Sequence, residues 1–289
     1  MEIRVILTKY LTSTLATLTF LSASTTITKN TIWSNDITLT KSVIVNKNII
    51  LTIKKGVNIF IDQSDLSIED HGHIGLSILG AIKIEGTVDS MVTIRPSMIT
   101  SNKNYWTGIT IHQSKTPSKI EFLSLSNSRS GIDIKSKTTA RGLIIENCGK
   151  NGIYIESVTN DSIELNNIEI KRSDGVGLFI QKGNVFIDWA DIHDCKSIGL
   201  VNNNYGVVDI HNTRIMNNKD NGIVNYGYMT AYNLLVKENR HGIINSSGFS
   251  VITKGSISNN KSNGLLIGGS SNVNIEGVTI EQNKGYGLE

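Results

Sequence analysis

The groups in this chain best equipped for acid–base chemistry fall at two phases of a repeating sequence. Asn166, Asp188 and His211 stand eleven residues before a recurrent glycine in three successive units, and Glu169, Asp191 and Arg214 stand eight before it in the same units. Carboxylates beside an Arg and a His are the ingredients of a lyase or hydrolase site: acids to hold a cation or move a proton, with a base or cation close by. All of them flank aliphatic residues expected to point inward, so they are predicted to face outward on one patch spanning about 10 Å, two strand spacings. A column of Glu169, Asp191 and Arg214 also reads as a cross-strand charge ladder, worth a few tenths of a kcal/mol per pair at a surface. Asp70-His71-Gly72-His73 offers a His-x-His, but Gly72 implies a turn rather than a strand face, and no metal site is assigned there. No cofactor is expected, with Ca²⁺ the exception should the protein be a lyase.

What must position these residues is the repeat. Gly followed by an aliphatic residue recurs at Gly131, Gly152, Gly177, Gly199, Gly222, Gly242, Gly264 and Gly287, at spacings of 21, 25, 22, 23, 20, 22 and 23, with Gly108 one copy upstream. A period of this length means a solenoid, a propeller or an array. Seven residues before the glycine stand Ile145, Ile170, Ile192, Ile215, Leu235, Ile257 and Ile280, and one residue after it another unbroken aliphatic column. Four before it the column is polar: Asn127, Cys148, Ser173, Cys195, Asn218, Glu238, Asn260 and Asn283. The chain holds 44 isoleucines and 31 asparagines, a bias towards short strands joined by tight corners. Propeller blades need about 40 residues each, and leucine-rich repeats give half of each unit to a helix or 3₁₀ segment, whereas β-branched residues fill the whole unit here. One coil of an all-β parallel β-helix per unit, about 22 residues long, is the architecture that fits.

Composition narrows the classes of function. With 28 basic and 25 acidic residues among 289, a net charge of +3 leaves no electrostatic footprint for nucleic acid. Two cysteines exclude a disulfide framework. Residues 1–24 combine Arg4 and Lys9 with an uncharged run from Leu11 to Ala23, too short to span a bilayer and suited to a secretory signal peptide. No transmembrane segment is expected, and the protein is placed outside the cell or at its surface. Residues 25–107 read as an N-terminal cap and first coils, and 108–289 as the regular coils.

The stations Leu51-Thr52-Ile53-Lys54-Lys55-Gly56-Val57, Gly80-Ala81-Ile82-Lys83-Ile84-Glu85-Gly86-Thr87, Val92-Thr93-Ile94 and Trp106-Thr107-Gly108-Ile109 occur in an order that resembles the right-handed parallel β-helix proteins of the pectate-lyase-like superfamily. Lys55 stands where that family usually has Pro. The likeness extends over nearly everything after residue 27, and the later coils are also similar to the animal junction protein bark beetle. The resemblance implies the fold; on so versatile a fold it does not carry function. Signatures of its enzymes are missing: there is no Asp-Asp pair, Gly-His-Gly or Arg-Ile-Lys of the polygalacturonases, and no Asp-Pro-His of the alginate epimerases.

Stacked coils turn each column into a ladder along the axis, with rungs about 4.8 Å apart. Cys148 and Cys195, two rungs apart, are therefore beyond disulfide reach and expected as free, partly buried thiols. Asn202, Asn225 and Asn245, three after the glycine, are expected inside as an amide ladder, the alternative being that they sit in a corner. Of the sequons at Asn160, Asn245 and Asn260, the second should then be closed to glycosylation. Two after the glycine, Asp133, Tyr154, Phe179, Val201, Val224, Ile244 and Leu266 should face outward, giving an apolar stripe about 24 Å long anchored by Tyr154 and Phe179. Its alternative is a one-residue register slip that turns the aliphatics in and the asparagines out. The stripe points to a protein or polysaccharide partner, or to a homo-oligomer. Because the chain stops one strand into a new coil, it is expected to belong to a longer polypeptide or to end against a partner. The leading expectation is a secreted or surface scaffold for recognition or adhesion; the alternative is a polysaccharide lyase or glycoside hydrolase acting on uronic-acid polymers.

Overall fold

A computed structural model describes residues 24–64, 73–158 and 162–289. The signal-peptide run, Asp70-His71-Gly72 and the Asn160 sequon lie outside them. Among the described residues there is no helix, and every strand pairing is parallel except one isolated bridge between Thr87 and Ser90. The chain winds through about ten turns of a β-helix, each coil one strand spacing from the next. The strand that follows the recurrent glycine carries the register through the stack: Leu76, Ile109, Ile132, Ile153, Leu178, Leu200, Ile223, Ile243 and Leu265 are successive Cα partners. That register passes residue 107 without a break.

Inward aliphatics from every coil merge into one core running the length of the axis. The glycine itself is required by the approach of the next coil. A Cβ on Gly199 would stand 2.4 Å from Ile215 Cγ2 and 2.7 Å from the Gly222 carbonyl oxygen, and the same pair of contacts recurs at Gly177 and Gly222. Any side chain there would hold the coils apart.

The asparagines fall inside, so there is no register slip. Asn202 Nδ2 donates to Asn225 Oδ1 at 2.8 Å and Asn225 Nδ2 to Asn245 Oδ1 at 2.7 Å, with all three side chains fully buried. Their remaining amide hydrogens go to backbone carbonyls such as those of Gly206, Gly227 and Gly248, so the ladder also fastens the turn that follows the strand. Asn245 is closed to glycosylation, and so is Asn260, which is equally buried.

A second amide ladder runs at the corner before the glycine, through Asn218, Asn239, Asn260 and Asn283, where each Oδ1 accepts from the backbone N–H of the residue one coil earlier. The count of four back from the glycine names Glu238 and Asn127 for this column; the rungs are Asn239 and Ser128. The coil ending at Gly242 is one residue shorter after its corner, and Glu238 instead takes the left-handed conformation at φ 61°. Earlier rungs are Ser128, Cys148, Ser173 and Cys195. Ser128 Oγ lies 3.5 Å from Cys148 Sγ, both cysteines are free and buried, and burial pushes each thiol up to about 11.

Candidate active site

The predicted patch is divided by a bend. In each coil one residue between its two columns adopts the left-handed conformation: Phe122, Gly142, Asn167, Trp189, Asn212, Asn233, Lys254 and Gly277, with φ from 47° to 69°. The register passes over this residue, so Asn166 pairs with Asp188 and Ile168 with Ala190, and the chain turns between them. Asn166, Asp188 and His211 consequently lie on one face, and Glu169, Asp191 and Arg214 on the next. Alternation alone places them on one patch because it assumes a straight strand; the left-handed residue breaks that assumption.

On the first face Asp188 Oδ1 accepts from Asn212 Nδ2 at 2.9 Å, and His211 lies 3.2 Å from Asp209 and edge-on to Phe186. On the second, Arg214 is ion-paired to Asp191 Oδ2. Glu169 Oε1 takes hydrogen bonds from Lys171 at 2.9 Å and from His193 Nε2 at 3.2 Å, while His193 Nδ1 reaches Asp194 at 2.6 Å. Burial raises the Glu169 carboxyl, but the bonds from Lys171 and His193 together outweigh it and hold the group below the usual carboxylate range. His193, two residues beyond Asp191 on the same face, is absent from the sequence-level set. The second face opens into a groove of about 770 Å³, floored by Leu143, Ile168 and Ala190 and bordered by Phe122 and Trp189.

A different site stands beside the glycine strand. Asp133 lies in register between Thr110 and Tyr154, in a column that is otherwise apolar from Tyr154 onward. It forms one wall of a 260 Å³ pocket whose rim carries Arg129 and Lys150. These two occupy equivalent corners of successive coils, Lys150 N–H donating to the Arg129 carbonyl at 2.6 Å, and neither side chain has a salt-bridge partner among the described residues. Ser130 Oγ donates to Asp133 Oδ1 at 2.5 Å. Burial nevertheless raises the Asp133 carboxyl above the usual carboxylate range, against the lowering effect of Ser130, Lys135, Lys150 and Arg129. Burial, with the charges of Glu156 and Asp133 and a hydrogen bond that the Tyr154 hydroxyl donates to Glu156, also raises that hydroxyl, which therefore keeps its proton. A raised acid, a protonated phenol and two uncommitted cations around one concavity can exchange protons with an anionic ligand.

The family follows from sequence. The profile of the family described as a right handed beta helix region matches residues 80–241 and 151–289. The chain belongs to this right-handed β-helix family. No curated protein matches the β-helix by sequence. Among solved structures it is similar to the A-module of the mannuronan C-5 epimerase AlgE4 of Azotobacter vinelandii, with a TM-score of 0.56 at 11% identity over 89% of this chain and 87% of that one. A mutant of the periplasmic alginate epimerase AlgG gives a TM-score of 0.53 at 13% identity over 87% and 77% of the two chains. At such identities the likeness is one of fold.

In this β-helix the apolar stripe keeps its register but not its exposure. Tyr154, Phe179, Ile244 and Leu266 are half-buried, and Val201 and Val224, shorter than their neighbours, are only 6% and 5% exposed. Tyr154 and Phe179 stack on each other with centroids 5.6 Å apart, so the rings spend their faces on one another and offer solvent their edges. No continuous apolar face of 24 Å is left. Within the described residues no group of three or more His, Cys, Asp or Glu side chains converges as a metal cluster, and no helix is long and apolar enough to cross a membrane.

Proposed function

We propose that this β-helix is a carbohydrate-active enzyme that breaks an acidic polysaccharide by elimination at the Asp133 pocket. The observation that carries the reading is a half-buried carboxyl in one pocket with two cations that have no salt bridge, its partial burial holding it above the usual carboxylate range. A uronate carboxylate bound between Arg129 and Lys150 would have its charge neutralised, which acidifies the proton on the adjoining carbon. Asp133 removes that proton. The electron pair becomes a carbon–carbon double bond as the glycosidic oxygen one carbon further leaves, and Tyr154, still protonated, supplies that oxygen with a proton. Proton abstraction and donation on this scale are each worth about 10²–10⁴ in rate. Two structural neighbours, an alginate and a mannuronan epimerase by name, share the fold, and this supports the reading by analogy alone. A polymer substrate of this kind also suits export from the cell, as the N-terminal run suggests. The scaffold reading loses its main support with the exposed stripe.

Depolymerisation of polygalacturonate and of alginate, followed by ultraviolet absorbance of the new double bond, tests the proposal. Asp133→Asn and Tyr154→Phe should each lower the rate by about 10²-fold or more. Wild-type protein inactive on every uronic-acid polymer, or Asp133→Asn retaining full activity, would overturn it.

A further inference from the structure

The groove beyond the left-handed bend is built at a conformational cost that the fold itself does not require. Its column is filled by Asn and Gly in five of eight coils, residues that accept φ near 55° readily. Phe122 and Trp189 occupy the same column, where a bulky side chain is a genuine outlier. Strain of this sort collects where a side chain has work to do outside the core. Trp189 is 61% exposed, so its position is not explained by burial. The Phe122 ring lies across Gly142, where a Cβ would come within 2.4 Å of its Cδ1. The two aromatics border the groove three coils apart, about 14 Å along the axis.

Polar groups between them suit hydroxyls better than charges. Asp191 Oδ2 is taken by Arg214, and Asp191 Oδ1 is buried. Asn233 Nδ2 donates to Asn212 Oδ1 at 2.9 Å, forming an outer amide row along the lip. The charged residues that line the groove are Glu169, which is paired with Lys171 and His193, and Asp191 and Arg214, which are paired with each other, so the lining has no unpaired positive charge to attract a polyanion. Aromatic borders and amides are the means of holding a ring of hydroxyls over an apolar patch.

We infer that this groove binds a neutral glycan chain, with Trp189 and Phe122 as its platforms and the Asn212–Asn233 amide row on its lip as the partner for sugar hydroxyls. The site is separate from the Asp133 pocket and stands whether or not that pocket is catalytic. It would hold a neutral segment or side chain of a mixed polysaccharide against the stack.

The test is binding of cellohexaose, mannohexaose, xylohexaose and hexagalacturonate to the full chain, read by calorimetry and by tryptophan fluorescence. At least one neutral hexasaccharide should bind and perturb the fluorescence. Trp189→Asn and Phe122→Asn, which place the column's commonest residue at each position, should weaken that binding tenfold or more while the melting temperature stays level or rises. Asp133→Asn should leave it unchanged. Absence of binding to every neutral hexasaccharide, equal binding by Trp189→Asn, or hexagalacturonate as the only ligand lost in that variant would each overturn the inference.

Discussion

Asp133 illustrates how one residue's surroundings set both its chemistry and its cost. Its carboxyl titrates above the ordinary value of about 3.9 because burial disfavours the charged form. A folded pKa raised above the unfolded one contributes stability that is fully present below the unfolded pKa and is lost as pH rises through the folded pKa. Glu169 and Asp194 have the opposite sign: their folded values are lowered, so their contribution is present above the unfolded pKa and lost as pH falls through the folded one. Denaturant titrations of wild type and Asp133→Asn from pH 3 to 8 should therefore diverge in one direction only. The variant should gain stability relative to wild type as pH rises past the Asp133 pKa, while both lose it alike at the acid end. A variant that is less stable at neutral pH would mean that Asp133 is a favourable charge in the fold, contrary to its burial. In catalysis the same group must be ionised, and Lys150 favours that form. Lys150→Gln should accordingly move the acid limb of kcat/KM to higher pH.

Within the elements, amide ladders do what a disulfide or helix would do elsewhere, because a corner that repeats every coil can fasten itself to its own copies. Asn225 is the central rung, with its Oδ1 taking the Asn202 amide and the two hydrogens of its Nδ2 shared among Asn245 Oδ1, the carbonyls of Gly227 and Phe249 and Ser250 Oγ. Asn225→Leu keeps the branched shape of the side chain, at a larger volume, but strands donors and acceptors on both neighbouring coils. It should cost about 1–3 kcal/mol by chemical denaturation, and Asn283→Leu, at the half-buried end of the second ladder through Asn218, Asn239 and Asn260, clearly less. Equal effects would show that the inner ladder of Asn202, Asn225 and Asn245 is not a buried network. This ladder was legible in the sequence because its residues share a phase with inward isoleucines. The second ladder was only half legible: fixed counting from the glycine fails where a coil is shorter, so Asn239 is passed over for Glu238. The left-handed bend left a trace in Asn167, Asn212 and Asn233, but Phe122 and Trp189 conceal it, since aromatic residues carry no signal for positive φ. The two-column patch was split for that reason. Asp133 was visible as the one charge in an apolar column. What made it a candidate, the Ser130 bond and the uncommitted Arg129 and Lys150, depends on how neighbouring corners stack.

At the scale of the molecule, stacking makes one rigid surface from many weakly functional coils. The glycine column sets the spacing, the inward isoleucines fill the axis, and the outward positions are free to vary, so fold and function are written in different columns of the same repeat. The Asp133 pocket and the groove beyond the bend lie on different faces of the coil. A polysaccharide held at one can be contacted at the other only by wrapping or branching. The direct measurement is a crystal structure of Asp133→Asn grown with hexagalacturonate. A sugar carboxylate bound between Arg129 and Lys150, with the adjoining carbon against residue 133 and the glycosidic oxygen beside Tyr154, is the predicted result. The oligosaccharide lying elsewhere on the β-helix, or a complex in which its carboxylates avoid both cations, would contradict it.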